Sequence, residues 1–133
     1  MANYSYVSLT IEGDINRIRD FVKKLKYDGK YSIANLVDEE HQAEVKIFKP
    51  SWIFLHDFKA KKVSDNKVKI TFDVKYLLPP VFYQYFAIHY PDLKMIIEEF
   101  NEGGYYSTII VENGKITENF TEDFPLEEEE REK

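Results

Sequence analysis

The chain has 133 residues, 44% of them hydrophobic and 16% aromatic, with ten tyrosines, ten phenylalanines, one tryptophan and no cysteine. That is enough for one domain with a sizeable core and too little for two ordinary ones, and the lack of cysteine excludes disulfides, thiolate zinc centres and cysteine nucleophiles. The net charge of −6 is uneven, because residues 122–133 carry −5 and leave only −1 on residues 1–121, far from the basic excess of a typical nucleic-acid domain.

Tyr4 to Ile11 alternates with period two, with Val7, Leu9 and Ile11 on one side and Tyr4, Tyr6, Ser8 and Thr10 on the other, which predicts a half-buried strand. After Gly13, Asp14 suits a helix N-cap, and Ile15, Ile18, Phe21, Val22 and Leu25 recur at helical spacing until Gly29. Asp20 with Lys23 and Lys24 adds surface pairing to that helix. Residues 30–51 carry weak signals, the clearest being a short helix opened by Asp38-Glu39-Glu40 and running through Ala43, well before Pro50. Ser64-Asp65-Asn66 separates two β-like runs, so residues 52–63 and 67–76 are expected to form a hairpin, its second arm alternating Val68, Ile70, Phe72, Val74 and Tyr76 with Lys67, Lys69, Thr71, Asp73 and Lys75. Pro79-Pro80 suits the start of a helix that Pro91 ends, with Val81, Phe82, Tyr85, Phe86 and Ile88 as its apolar face. Two further strands, 93–101 and 104–112, flank Gly103-Gly104, and Asn113-Gly114 turns the chain into a last short strand.

The order strand, helix, strand, strand, helix, strand with extra C-terminal strands predicts an α+β, ferredoxin-like split βαβ domain over residues 1–121. It has one antiparallel sheet with both helices on the Val7/Leu9/Ile11 face. The other face is left to solvent or a partner. Residues 122–133, with the block Glu127, Glu128, Glu129 and Glu130, read as a solvated, disordered acidic tail, or as an arm for a basic groove on a partner. Met1 to Thr10 lacks a basic region followed by an apolar run, and no apolar run approaches the roughly 20 residues that span a bilayer. A cytoplasmic protein with no membrane segment is expected.

From Lys67 to Ile116 the chain resembles the YubB-type ferredoxin-like domain of uncharacterised plasmid and phage proteins. The matching pieces are the β run through Phe72, Leu78-Pro79-Pro80, the aromatic helix to Tyr90-Pro91-Asp92-Leu93, the Glu-rich strand to Gly103-Gly104-Tyr105, and Val111-Glu112-Asn113-Gly114-Lys115. The chain has Tyr76-Leu77 where the family places a tryptophan before the double proline, and Trp52 stands alone. The resemblance implies a mobile-element or bacterial protein and carries no reaction with it.

Little in the sequence points to catalysis. His41, His56 and His89 belong to no metal-binding pattern, His56-Asp57 near Ser51 lacks a nucleophile elbow, and neither phosphate-loop motif can be written. Glu98 and Glu99 point to opposite sides of one strand and read as a solvated edge. No cofactor and no metal are expected. The open sheet face carries the strongest signal, with Tyr4, Tyr6, Lys67, Lys69, Lys75 and Tyr106 projecting there. Tyrosine-rich faces anchor protein partners, and the expected function is a non-enzymatic protein-binding module; the resemblance to phage and plasmid proteins implies a host defence component as the partner it blocks. Aromatic platforms with lysines also stack single-stranded bases, which is the alternative. A small enzyme or nucleotide-binding module would need His56 or His89 in a deep pocket with acidic partners. Exposed sheet edges leave a sheet-edge dimer open.

Overall fold

A computed structural model describes residues 3–121. The period-two segments form β1 (Tyr4–Glu12), β4 (His56–Ser64), β5 (Lys67–Lys75), β6 (Lys94–Asn101), β7 (Tyr106–Glu112) and β8 (Lys115–Thr121), joined in one antiparallel sheet of order β4-β5-β1-β6-β7-β8. A two-stranded ribbon, β2 (Lys26–Tyr27) with β3 (Lys30–Tyr31), turns through Asp28 and Gly29, both at positive φ. The protein is therefore α+β with a six-stranded sheet and a small second sheet.

Among the described residues there are three α-helices, one at each place where the sequence suggests a helix, the middle one longer than expected. α1 (Ile15–Lys24) starts where Asp14 accepts the Asn16 N–H at 2.8 Å. Gly13 precedes it at φ 141, where a Cβ would collide with Leu93, so only glycine fits between strand and cap. α2 (Glu39–Phe48) is capped by Asp38, which accepts from His41 N–H at 3.0 Å, and runs five residues past Ala43 to a left-handed Lys49. α2 lacks a broad apolar stripe: Val45 is its buried residue, while Ile47 and Phe48 are exposed. α3 (Val81–His89) follows Pro80 and ends before Pro91. Its sequence is apolar nearly all round, so the predicted face is shifted: Phe82, Tyr83, Phe86 and Ala87 are buried and Ile88 is 72% exposed.

The predicted first arm of the hairpin begins four residues late. Residues 51–53 form a short 3₁₀ turn after Pro50, and the apolar run there bonds elsewhere: Ile33 N–H donates to Ile53 O at 2.8 Å, Leu55 N–H to Tyr31 O at 3.0 Å. β6 and β7 start one and two residues later than expected, and the Asn113-Gly114 turn has both residues at positive φ.

The core lies on the face carrying Val7, Leu9 and Ile11, with Ile70, Phe72, Met95, Ile97 and Val111 from neighbouring strands. Phe21 of α1 sits at its centre, edge-on to Phe82, Phe86 and Tyr90 at 5.7, 5.1 and 5.4 Å. Asp20, expected to pair with lysines on its own helix, instead accepts the Tyr90 hydroxyl at 2.6 Å and ties α1 to the end of α3. Arg17 strengthens that junction by donating to Asp92 and to His89 O. Among the described residues no helix is long and apolar enough to cross a membrane. Glu127, Glu128, Glu129 and Glu130 lie outside the described residues.

Candidate interaction face

Pleating turns alternate residues of every strand away from the core, and register places them in cross-strand rows. One row reads His56, Asp73, Tyr6, Phe100 and Tyr106, from β4 through β7. The Phe100 and Tyr106 rings are 4.7 Å apart, and Tyr6 and Phe100 are 49% and 39% exposed. Towards the other end of the strands Ile96 pairs with Ile110, giving the face a second apolar step on the same two strands.

Each tyrosine of the row is held by a carboxylate. Tyr6 donates to Glu102 Oε2 at 3.2 Å, and the opposite oxygen of Glu102 accepts the Tyr4 N–H at 2.6 Å. Tyr106 donates to Glu98 at 2.9 Å and accepts from the Thr108 hydroxyl at 2.9 Å. The bond to Glu102 and its charge hold the Tyr6 hydroxyl above the usual phenol range. Tyr6, Ser8, Thr71, Asp73, Asp57 and Phe100 surround a shallow depression of about 200 Å³. Asp57 enters it from a bulge in β4, with φ 53 in the left-handed region. Partial burial, then the Asp57 charge, raises the Asp73 carboxyl, while His56 opposes the shift.

Most lysines of the face occupy the β4/β5 half, while Lys94 on β6, 3.8 Å from Glu112, and Lys115 opposite Glu112 lie on the other side. Lys67 is paired with Glu12 at 3.0 Å and Lys59 lies 3.8 Å from Asp57, but Lys61 stands directly opposite Lys69, and no acid among the described residues pairs with either. Lys75 lies opposite Tyr4, its amine 5.6 Å from the Tyr76 ring centroid. The six residues singled out from sequence thus do share one face. They are spread across it rather than clustered, with Phe100, Ile96, Ile110, Glu98, Asp73 and Lys61 among the residues between them. Phe100 and Glu98 were legible only as alternate positions of a Glu-rich strand; Asp57 and Lys61 depended on the bulge and the register.

A polar plug supports the aromatic end of this face from the core side. Asn101, 2% exposed, donates to Ser5 Oγ at 2.8 Å and to Tyr76 O at 2.9 Å, and accepts from Gly103 N–H at 2.7 Å and Asn3 Nδ2 at 3.0 Å. Both amide donors and the carbonyl are satisfied, which fixes the turn carrying Glu102 relative to β1.

Glu99 corrects the expectation of a solvated edge: β6 is an interior strand, and the side chain is 4% exposed. It accepts the Leu78 N–H at 2.9 Å and faces a cavity of about 270 Å³ with Tyr83, Tyr105, Ser107 and Glu118. Burial raises its carboxyl, against the opposing effects of Leu78 N–H and Ser5; burial and the Glu99 charge push Tyr105 up to about 12. Burial and a bond to Glu118 raise Tyr83 also. Because the folded chain holds the Glu99 proton more tightly than the unfolded one, this group's contribution is full at low pH and declines as pH rises through the folded value. Glu99→Gln keeps the acceptor and cannot ionise. Urea midpoints are expected to be higher than wild type at about pH 8 and equal near pH 4; a variant weaker by about 1 kcal/mol at the higher pH would mean that the ionised carboxylate stabilises the fold.

The histidines do not converge. His41 pairs with Asp38 at 2.6 Å, His56 lies on the open face, and His89 packs on Tyr85 at 4.2 Å. Among the described residues no group of three or more histidines and acids is placed to hold a metal ion. No family model matches the chain, and neither does any curated protein or solved structure.

Proposed function

We propose that this protein is a non-enzymatic binding module that takes a protein partner on the open face of its sheet. The observation that carries the reading is the row Tyr6, Phe100, Tyr106 beside Ile96 and Ile110, aromatic and aliphatic side chains aligned across interior strands with Tyr6 and Phe100 exposed and the others half-buried. Tyrosine and phenylalanine anchors with carboxylates at their edge suit a protein interface, where no net positive charge is required. Glu98, Glu102 and Asp73 stand beside the rings, where a nucleic-acid backbone would have to run, and their charges oppose phosphate.

The fold reading that accompanies it is the split βαβ. Its support is the strand order β4-β5-β1-β6, in which β1 lies between β5 and β6 and the helices α1 and α3 fall in the two crossovers. Origin in a phage or plasmid, with a host defence component as the partner, rests on the resemblance over residues 67–116. Among the described residues β4 and β8 are the edge strands, which is the support for pairing between copies at a sheet edge.

Single-stranded nucleic acid is the second reading, favoured by Lys59, Lys61, Lys67, Lys69 and Lys75 on the β4/β5 half. Capture from host lysate with and without nuclease separates the two. A stoichiometric protein retained by wild type after nuclease, and lost from the Ile96→Lys/Ile110→Lys variant, supports the partner reading. Nucleic acid alone, released steeply by salt, overturns it.

A further inference from the structure

We propose that the partner anchors on this face through an arginine side chain, inserted in the depression beside Tyr6 with its guanidinium bonded to Asp57 and Asp73 and its plane against the Tyr6 ring. This rests on the partner reading above and gives the contact its chemistry. Size is the first support. The depression holds about 200 Å³, less than the roughly 300–1,000 Å³ of sites that enclose a small molecule, and suits one inserted side chain.

Unused acceptors are the second. Asp73 lies within the aromatic row, opposite His56 on one side and Tyr6 on the other, and is half-buried. Among the described residues its carboxylate forms no hydrogen bond and no ion pair. A partly desolvated acceptor with no donor is unfavourable, and an incoming donor relieves that. The bulge in β4 brings Asp57 to the same depression, and its ion pair to Lys59, at 3.8 Å between two largely exposed side chains, exchanges readily. Burial does most to raise the Asp73 carboxyl, and the charges of Asp57 and Glu102 add to it against His56 and Lys59. Three carboxylates therefore act together on the depression, where they favour a cation and repel phosphate or an acidic side chain.

The aromatic wall is the third, and it selects among cations. Tyr6 lines the depression with its hydroxyl tied to Glu102, so the ring is already held and little rotamer freedom is lost on binding. A guanidinium stacks flat on such a ring while its fork of N–H donors reaches carboxylates on both sides. An ammonium is a compact point charge that does one or the other less well. Ser8 and Thr71, register partners on β1 and β5, line the same depression and offer hydroxyl acceptors to the remaining N–H groups.

A capped glycine–arginine–glycine peptide and its citrulline counterpart, close in shape but uncharged, test the site on the full ¹⁵N-labelled chain at low salt and about pH 7.5, above the carboxylate range. The arginine peptide is expected to shift the amides of Tyr6, Thr71 and Asp73 and to saturate on the order of 1 mM, with the citrulline peptide at least about tenfold weaker. Asp57→Asn/Asp73→Asn keeps side-chain size, and asparagine tolerates the left-handed backbone at 57, so the variant should stay folded and bind the arginine peptide about tenfold more weakly or worse. Equal binding of the two peptides, shifts confined to other surfaces, no shifts at all, or unchanged affinity of the double variant overturns the proposal. The partner retained after nuclease separates this from the broader reading. If it loses affinity for Tyr6→Ala/Phe100→Ala but not for Asp57→Asn/Asp73→Asn, the arginine contact falls and the partner face stands; if neither variant weakens it, both fall.

Discussion

Phe21→Ala is expected to destabilise the domain by about 4 kcal/mol, a large part of the 5–15 kcal/mol by which folded domains exceed their unfolded chains. The ring is fully buried and makes edge-to-face contacts with Phe82, Phe86 and Tyr90, so one truncation removes apolar burial and three aromatic contacts together. Relaxation cannot close the hole cheaply. α1 is anchored at its start by the Asp14 cap and bonded to the α3 end through Asp20–Tyr90 and Arg17–Asp92, which resist its moving inward. Urea denaturation should show a lowered midpoint with an unchanged slope. Phe21→Leu, which retains most of the volume, should lose about 1.5 kcal/mol. A loss below about 1 kcal/mol for the alanine variant would mean that the helices do not pack through this ring.

Tyr6→Ala/Phe100→Ala should act in the opposite manner, with a small effect on folding and a large one on association. Both rings are partly exposed on the face away from the core, so their removal is expected to lower stability by about 1 kcal/mol or less. Against the partner captured by the wild-type chain, affinity should fall by roughly 30- to 100-fold, the 2–3 kcal/mol of a central aromatic hot spot. Tyr6→Phe removes only the exposed bond to Glu102 and should change affinity little. Ile88→Ala, on a helix and 72% exposed, serves as the control for a general loss of apolar surface. Equal losses from the control and the double variant would place the interface elsewhere.

These two residue sets differ in how they could be read. Phe21 stands at helical spacing with Ile15, Ile18, Val22 and Leu25, so its burial follows from local periodicity. The same is true of the Val7, Leu9, Ile11 side of β1 and of Val68, Ile70, Phe72 and Val74 in β5. Local chemistry likewise fixed the caps at Asp14 and the Asn113-Gly114 turn, because those residues satisfy backbone groups within two or three positions of themselves.

Periodicity fails where its contrast is lost or where the partner is distant. α3 is apolar almost all round, so packing against β7 and β8 chose Tyr83 and Ala87 over Ile88. α2 has little apolar stripe, and its length was set by capping at Asp38 and by Lys49 before Pro50. Period two puts Glu98 and Glu99 on opposite faces; whether either is dry depends on which strands flank β6. Placed between β1 and β7, Glu99 lost its water and Glu98 gained a tyrosine. The aromatic row follows the same rule. Alternation assigns Tyr6, Phe100 and Tyr106 to a face, but their alignment, like the opposition of Lys61 and Lys69, is a property of strand order and register. Those are settled by contacts between segments far apart in the chain, where burial of the whole apolar face selects one pairing and a slip of one residue would expose it.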